Sequence, residues 1–315
     1  MEERKEYDHI LTPKNAMSIA ETVELKIPVP WGHIAGKAWG DPCGQPVLCV
    51  HGIQDNAGTF DHLIPLLPRI FHYVSIDLPG HGLSSHFPAG VPLNFMNYVY
   101  SLVRVLNHLQ WEDCCYMSHS LGSQLGIYLA ALWPERIKKL ILIDSLAPMY
   151  VSPNEFLPFN RRLLDVIMTN EEKFANNKSP TYTYSEALDR LISNRRSLIT
   201  EDAGRTMLIR SLVKNEDGSY SFSTDQRLKI GLRPMVTSKQ QLQILNALQC
   251  PILLLASDIQ ALENWRPMKA AYEVYNKKQN FQRFNVDGNH DVHINSPEKI
   301  ASHITKFLMN QKSSL

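Results

Sequence analysis

Ser120 stands in the stretch "YMSHSLGS", residues 116–123, after an apolar run and before a run with helical spacing. A serine hydroxyl is a poor nucleophile near neutral pH and needs a base to take its proton. It must also stand clear of its strand. A tight strand-to-helix turn achieves this when the residues two before and two after the serine are small, because the two backbones nearly touch there. Gly122 meets that need, while Ser118 adds a Cβ and a hydroxyl at the other position. Alone, S-x-S-x-G reads equally well as a small-residue helix N-cap.

A base is offered near the C-terminus. In "NVDGNHDVHINSPEKIA", His290 follows a Gly-Asn turn between the last apolar strand run and the last helical run. A base in that turn reaches a nucleophile across the top of a parallel sheet. His293 is its competitor, and "HDVH" admits a metal reading, but no cluster elsewhere has metal-ligand spacing. The third group must be a carboxylate that fixes the imidazole tautomer and stabilises its charged form. Asp144 closes the strand run "LILID" and is taken as that acid. Glu263 and Asp258, beyond "PILLLAS", are the alternatives. An oxyanion hole needs two backbone N–H groups aimed at one point. Leu121 follows the nucleophile, and Ile53 lies in the turn after "VLCVHG". His51 in that turn reads as structural, as does the Asp77–Gly82 turn, whose backbone is set by Pro79 and glycines.

Positioning these groups requires a particular order of elements. "ETVELKIPVP" and "GHIAGKAWG" form an opening antiparallel pair around Pro-Trp-Gly. "PVLCVHG", "FHYVSIDLPGHG", "CCYMSH" and "IKKLILIDSLAP" are strand runs. They alternate with helical patterns at "GTFDHLIPLLPRI", "LNFMNYVYSLVRVLNHL" and "LGSQLGIYLAALWP", and the alternation implies a mostly parallel sheet with helices on both faces. It stops over residues 146–245, where the patterns are helical. It resumes at "CPILLLAS", "NWRPMKAAYEVYNKK", "NFQRFNV" and "PEKIASHITKFLMNQ". The expected organisation is an N-terminal extension (1–20), an α/β core (21–145 and 246–311) and a helical cap inserted at 146–245.

The bulk composition narrows the function classes. Among 315 residues, 32 are basic and 31 acidic, a balance that argues against a nucleic-acid partner. No apolar run is long enough for a spanning helix, and the polar start "MEERKEYDHILTPKNAM" has no secretory h-region. The five cysteines, Cys43, Cys49, Cys114, Cys115 and Cys250, lack metal spacing and read as reduced thiols of a cytoplasmic protein. The C-terminal "SSL" is a partial match to a peroxisomal address, and the sequon Asn177-Lys178-Ser179 carries little weight without a secretion signal.

With "HG", "DLPGHGLSS", "SHSLGS" and "GNH" in this order, the chain resembles the α/β-hydrolase superfamily over residues 21–310. More narrowly, "PWGHIAGKAWG", "VLCVHGIQDNAGTFDHLIPLLP", "GHGLSSH" and "DGNHDVHINSPEKIASHITKFL" resemble the serine hydrolase-like proteins of animals. The resemblance implies Ser120 as nucleophile, His290 as base, oxyanion contacts at Ile53 and Leu121, and a helical cap. Its departure is Ser118, where the family pattern has glycine. The expected activity is hydrolysis of an ester or thioester of a small to medium, largely apolar acid, without a cofactor. The apolar preference rests on Met149, Tyr150, Phe156, Phe159 and Met168. The competing expectation is a non-catalytic homologue that keeps the pocket for a ligand or partner.

Overall fold

The computed structural model describes residues 22–175, 180–195, 197–257 and 266–310. Strands β1 (Val23–Val29) and β2 (Gly32–Trp39) pair antiparallel, with Val29 opposite Gly32 across the turn. Then follow β3 (Gln45–Val50), β4 (Phe71–Ile76), α1 (Phe95–His108), β5 (Cys114–His119), α2 (Leu121–Leu132) and β6 (Ile137–Ile143). Next come α3 (Pro153–Thr169), α4 (Glu171–Ala175), β7 (Thr181–Tyr182), α5 (Tyr184–Ser193), α6 (Glu201–Ser211), β8 (Leu212–Lys214), β9 (Tyr220–Phe222) and α7 (Ser238–Asn246). The chain closes with β10 (Ile252–Ala256), α8 (Arg266–Asn276), β11 (Phe281–Asn285), α9 (Val292–Asn295) and α10 (Glu298–Met309).

One eight-stranded sheet runs β1-β2-β4-β3-β5-β6-β10-β11. It is antiparallel only at its opening edge, β1 to β2 and β2 to β4, and parallel from β4 onward. The central strands are buried on both faces, and their alternate residues feed two separate cores. Leu48, Val50, Tyr116 and Leu254 pack on the side of α1, α2 and α8. Val47, Cys49, Met117 and Leu255 pack on the side of α10. Cys114 and Cys115 divide between the two faces as small apolar residues, and burial pushes the Cys115 thiol up to about 11.

Three expectations change. "GTFDHLIPLLPRI" folds as two short 3-10 turns, Ala57–Phe60 and Ile64–Leu66, rather than an α-helix. Pro65 and Pro68 lack the N–H that a continuing helix needs, so the apolar spacing there cannot propagate. Residues 146–245 also contain a small antiparallel sheet, β7-β9-β8, whose strands of two or three residues are too short to show a period in sequence. Finally, α7 lies inside the range expected for the cap but packs on α2 and α8, burying Gln241 and Leu245 with the core.

The segment between β6 and β10 is fastened to the sheet by buried polar contacts. Arg210 of α6, 3% exposed, donates to both carboxylate oxygens of Asp77 at the end of β4 and to Glu24 of β1. Asn56 donates to the Met207 carbonyl and the Ser211 hydroxyl. These contacts seat α6 directly over the turn that follows β3.

Candidate active site

β5 hands over to α2 at Ser120, whose backbone has φ 50° and ψ −113°. Ser120 occupies the helix N-cap position, yet its side chain makes no capping hydrogen bond. An N-cap serine takes extended angles and binds the N–H two or three residues on. The capping reading therefore does not describe this residue. Its conformation is costly for any residue with a Cβ, and such outliers persist only where the surroundings hold them. Gln54 (φ 62°) and Asp144 (φ 50°) share the feature, so three of the four described non-glycine residues with positive φ lie in the loops under discussion.

The close strand–helix approach explains the small residues. A Cβ on Gly122 would lie 2.2 Å from the Val50 carbonyl oxygen, and one on Gly126 would lie 2.2 Å from the Tyr116 ring. Ser118 is fully buried and accommodated. Its hydroxyl donates to the Ile141 carbonyl at 3.0 Å and lies 3.2 Å from the Ser123 hydroxyl, which reaches back to the Ser118 carbonyl at 3.1 Å. Ser118→Gly is therefore expected to lower unfolding free energy by about 1–2 kcal/mol, through lost hydrogen bonding and added chain entropy. Paired denaturation and ester-turnover curves check this, with turnover no better than wild type.

His290, in the turn after β11, places Nδ1 2.5 Å from Oδ2 of Asp144 at the end of β6. The other oxygen, Oδ1, accepts from the Ser257 N–H at 2.8 Å and the Ser257 hydroxyl at 2.9 Å. Burial opposes ionisation of Asp144, but the hydrogen bond and charge of His290 and the Ser257 donors outweigh it and hold the carboxyl below its usual range. Burial likewise disfavours the imidazolium. The Asp144 hydrogen bond and charge, followed by the charges of Asp291 and Asp55, raise His290 above its ordinary value of 6.5. With Nδ1–H committed to Asp144, the free lone pair of the neutral ring is on Nε2. Asp258 and Glu263, the alternative acids, lie outside the described residues.

Leu121 is the first residue of α2, where helix geometry leaves its N–H without an intrahelical acceptor. Ile53 sits in the turn closed by the Asp55 N–H donating to the Gly52 carbonyl at 3.2 Å. A Cβ on Gly52 would lie 3.2 Å from the Ser120 Cβ, so this turn abuts the serine directly. His51 is locked in the fold: Nδ1 donates to the Gly52 carbonyl at 2.6 Å and Nε2 accepts from the Leu78 N–H at 2.9 Å. Burial lowers it to about 4. His293, the competing base, is buried with Nε2 2.7 Å from the Thr59 hydroxyl, and burial together with His119 lowers it well below the usual range.

His119, Asp55 and Arg195, to which the sequence reading gave no role, surround this constellation together with Asp291 and His293. His119, one residue before Ser120, donates from Nε2 to the His290 carbonyl at 2.9 Å and faces Asp55 at 3.6 Å. Arg195 bridges Asp55 and Asp291. His119, Asp291 and His293 each bring one polar atom within 4.8 Å of the others. The His119 and His293 rings are tilted, with centroids 4.0 Å apart and planes 31° apart, and Arg195 already places positive charge on Asp291. His119 Nε2 is held by the His290 carbonyl, His293 Nε2 by the Thr59 hydroxyl and Asp291 by Arg195, so the group reads as an ion-pair and hydrogen-bond network rather than a ligand set.

Of the residues expected in the cap and tied to an apolar preference, Phe159 lines a cavity of about 310 Å³ whose walls are mixed, with Leu163, Val166, Phe174 and Ile230 beside Arg162, Asn170, Gln226 and Lys229. Met149 packs against the core, while Phe156 and Met168 are exposed. Among the described residues no helix is long and apolar enough to cross a membrane.

Sheet order, elbow and loop positions define an α/β-hydrolase fold, and residues 45–187 match the family described as alpha/beta hydrolase fold. Within that class, the chain belongs to the serine hydrolase-like proteins. It is 35% identical to serine hydrolase-like protein 2 of Homo sapiens, over 90% of this chain and 93% of that one. It is 32% identical to the serine hydrolase-like protein of Danio rerio, over 91% and 89%. Among solved structures, the hypothetical protein PA1622 from Pseudomonas aeruginosa PAO1 superposes with a TM-score of 0.78 at 26% identity, covering 90% of this chain and 97% of that one. The thioesterase domain from the curacin biosynthetic pathway gives 0.77 at 24% identity, over 90% and 99%, a likeness of fold alone.

Proposed function

We propose that this protein is a serine hydrolase cleaving a carboxylic ester or thioester of a small to medium, largely apolar acid through an acyl-enzyme on Ser120. The observation that carries the reading is the strained Ser120 backbone at the elbow, a conformation that serves no capping role. Ser120 Oγ attacks the carbonyl carbon while His290 Nε2 takes its proton. The oxyanion rests on the Ile53 and Leu121 N–H groups. Asp144 holds the Nδ1–H and stabilises the imidazolium, which returns the proton to the leaving oxygen or sulfur. Water then attacks the acyl-enzyme with the same base, and release of the acid restores the serine. No cofactor takes part. The part of residues 146–245 that precedes α7 acts as the cap, and the apolar side chains it carries, Phe159 among them, support a preference for apolar acyl groups.

The test is turnover of p-nitrophenyl esters and acyl thioesters of graded chain length, each followed against pH. Neutral His290 is the base, and its proton affinity is raised. Hence kcat/KM falls as the pH drops through an apparent value above 6.5. Turnover that is flat from pH 5 to 8, or equal in Ser120→Ala, contradicts the proposal.

A further inference from the structure

Arg195 follows α5 in the inserted region and forks between two core loops. Its Nη1 donates to Asp55 Oδ1 at 2.7 Å and its Nη2 to Asp291 Oδ1 at 2.6 Å. Both carboxylate side chains are 1% exposed and the guanidinium side chain 15%. Asp55 shares the turn of Ile53, and Asp291 follows His290 directly. The second oxygen of Asp55 faces His119, which holds the His290 carbonyl. One side chain from the insertion thus joins the turn beside the nucleophile to the turn of the base.

We propose that Arg195 is a positioning residue of this site, locking the Ile53 turn to the His290 turn and neutralising the carboxylates that flank the imidazole. This rests on the reading of His290 as the base. A fork to two carboxylates suits a planar guanidinium and not an ammonium, which is a single point charge. Burial of two carboxylates also demands a partner. The charge and hydrogen bond of Arg195, with His119, hold Asp55 well below the usual carboxylate range against the opposing effect of burial.

The consequence is electrostatic as well as mechanical. Among the described residues, the titratable and charged groups around His290 are Asp144 from the end of β6, His119 from the elbow, and Asp55 from the turn after β3. Asp291 and His293 come from its own loop and α9, and Arg195 from the insertion. Removing Arg195 leaves Asp55 and Asp291 uncompensated and favours the imidazolium. Removing Asp291 alone does the opposite. Removing both restores the original local charge.

The deciding experiment is an NMR titration of the His290 ring, assigned by difference from His290→Gln, in the full chain. Arg195→Gln is expected to raise the His290 midpoint by about one pH unit, and Asp291→Asn to lower it by a similar amount. Arg195→Gln with Asp291→Asn should return it close to wild type. Arg195→Lys should keep the midpoint but reduce kcat about tenfold at unchanged KM, because the charge survives and the fork does not. A midpoint unmoved in Arg195→Gln, or a double variant that stays with Arg195→Gln, overturns the proposal. Should Arg195→Gln not fold, Asp291→Asn and Arg195→Lys decide alone: a midpoint unmoved in the first or shifted in the second overturns it. The titration needs no turnover. If wild type hydrolyses no ester while the midpoints move as stated, the functional reading fails and the positioning role stands.

Discussion

Replacement of Ser120 by alanine is expected to reduce kcat for ester hydrolysis by about 10⁴-fold or more, to the level supplied by binding and the oxyanion donors alone. Stability should hardly change. The side chain makes no capping hydrogen bond, so the loss of about 1 kcal/mol that follows deletion of an N-cap serine has no source here. Alanine carries the same Cβ at φ 50° and inherits the same backbone cost. Ser120→Gly separates the two effects, since it is equally inactive but gains about 1 kcal/mol by releasing the strain. Thermal and chemical unfolding of the three proteins beside their turnover measures this. An alanine variant that loses stability yet keeps activity would return Ser120 to the role of a helix cap.

The second large effect is expected at Asp144. Oδ1 is committed to two Ser257 donors, so an asparagine there must place its carbonyl oxygen toward Ser257. Its NH₂ group then faces His290 Nδ1. The imidazole answers by putting its proton on Nε2, where it can no longer accept one from Ser120. The wrong tautomer lowers kcat by about 10⁴-fold with little loss of fold, and the His290 midpoint drops because the carboxylate charge is gone. Glu263→Gln and Asp258→Asn serve as controls and should remain near wild type. A near-normal Asp144→Asn with an inactive Glu263→Gln reassigns the acid.

The contrast between these two residues shows where sequence stops informing. Ser120 and His290 stand out as candidates because turns have local signatures: small residues around a serine between strand and helix, and Gly-Asn before a histidine after the last strand. The sheet was legible for the same reason, since its buried strands are short apolar runs separated by helical spacing. The acid was not. Its choice depends on which strand-end loop bends toward the base, and on Ser257, just past the end of β10, fixing the carboxylate rotamer. Asp55, His119 and Asp291 sit beside the expected residues, in "HGIQDN", "SHSLGS" and "GNHDVH", but adjacency alone gave them no role. Arg195 had no signal, because its partners lie 140 and 96 residues away. The apolar spacing of "GTFDHLIPLLPRI" does not become a helix because Pro65 and Pro68 interrupt it.

The most direct measurement is covalent. Folded protein treated with a fluorophosphonate and mapped by peptide mass spectrometry should carry one adduct, on Ser120. The adduct should be absent from Ser120→Ala and strongly slowed in His290→Gln and Asp144→Asn, because the hydroxyl attacks phosphorus only when its proton has a base to receive it. Folded wild-type protein that stays unlabelled, or that labels at another residue, contradicts Ser120 as the nucleophile.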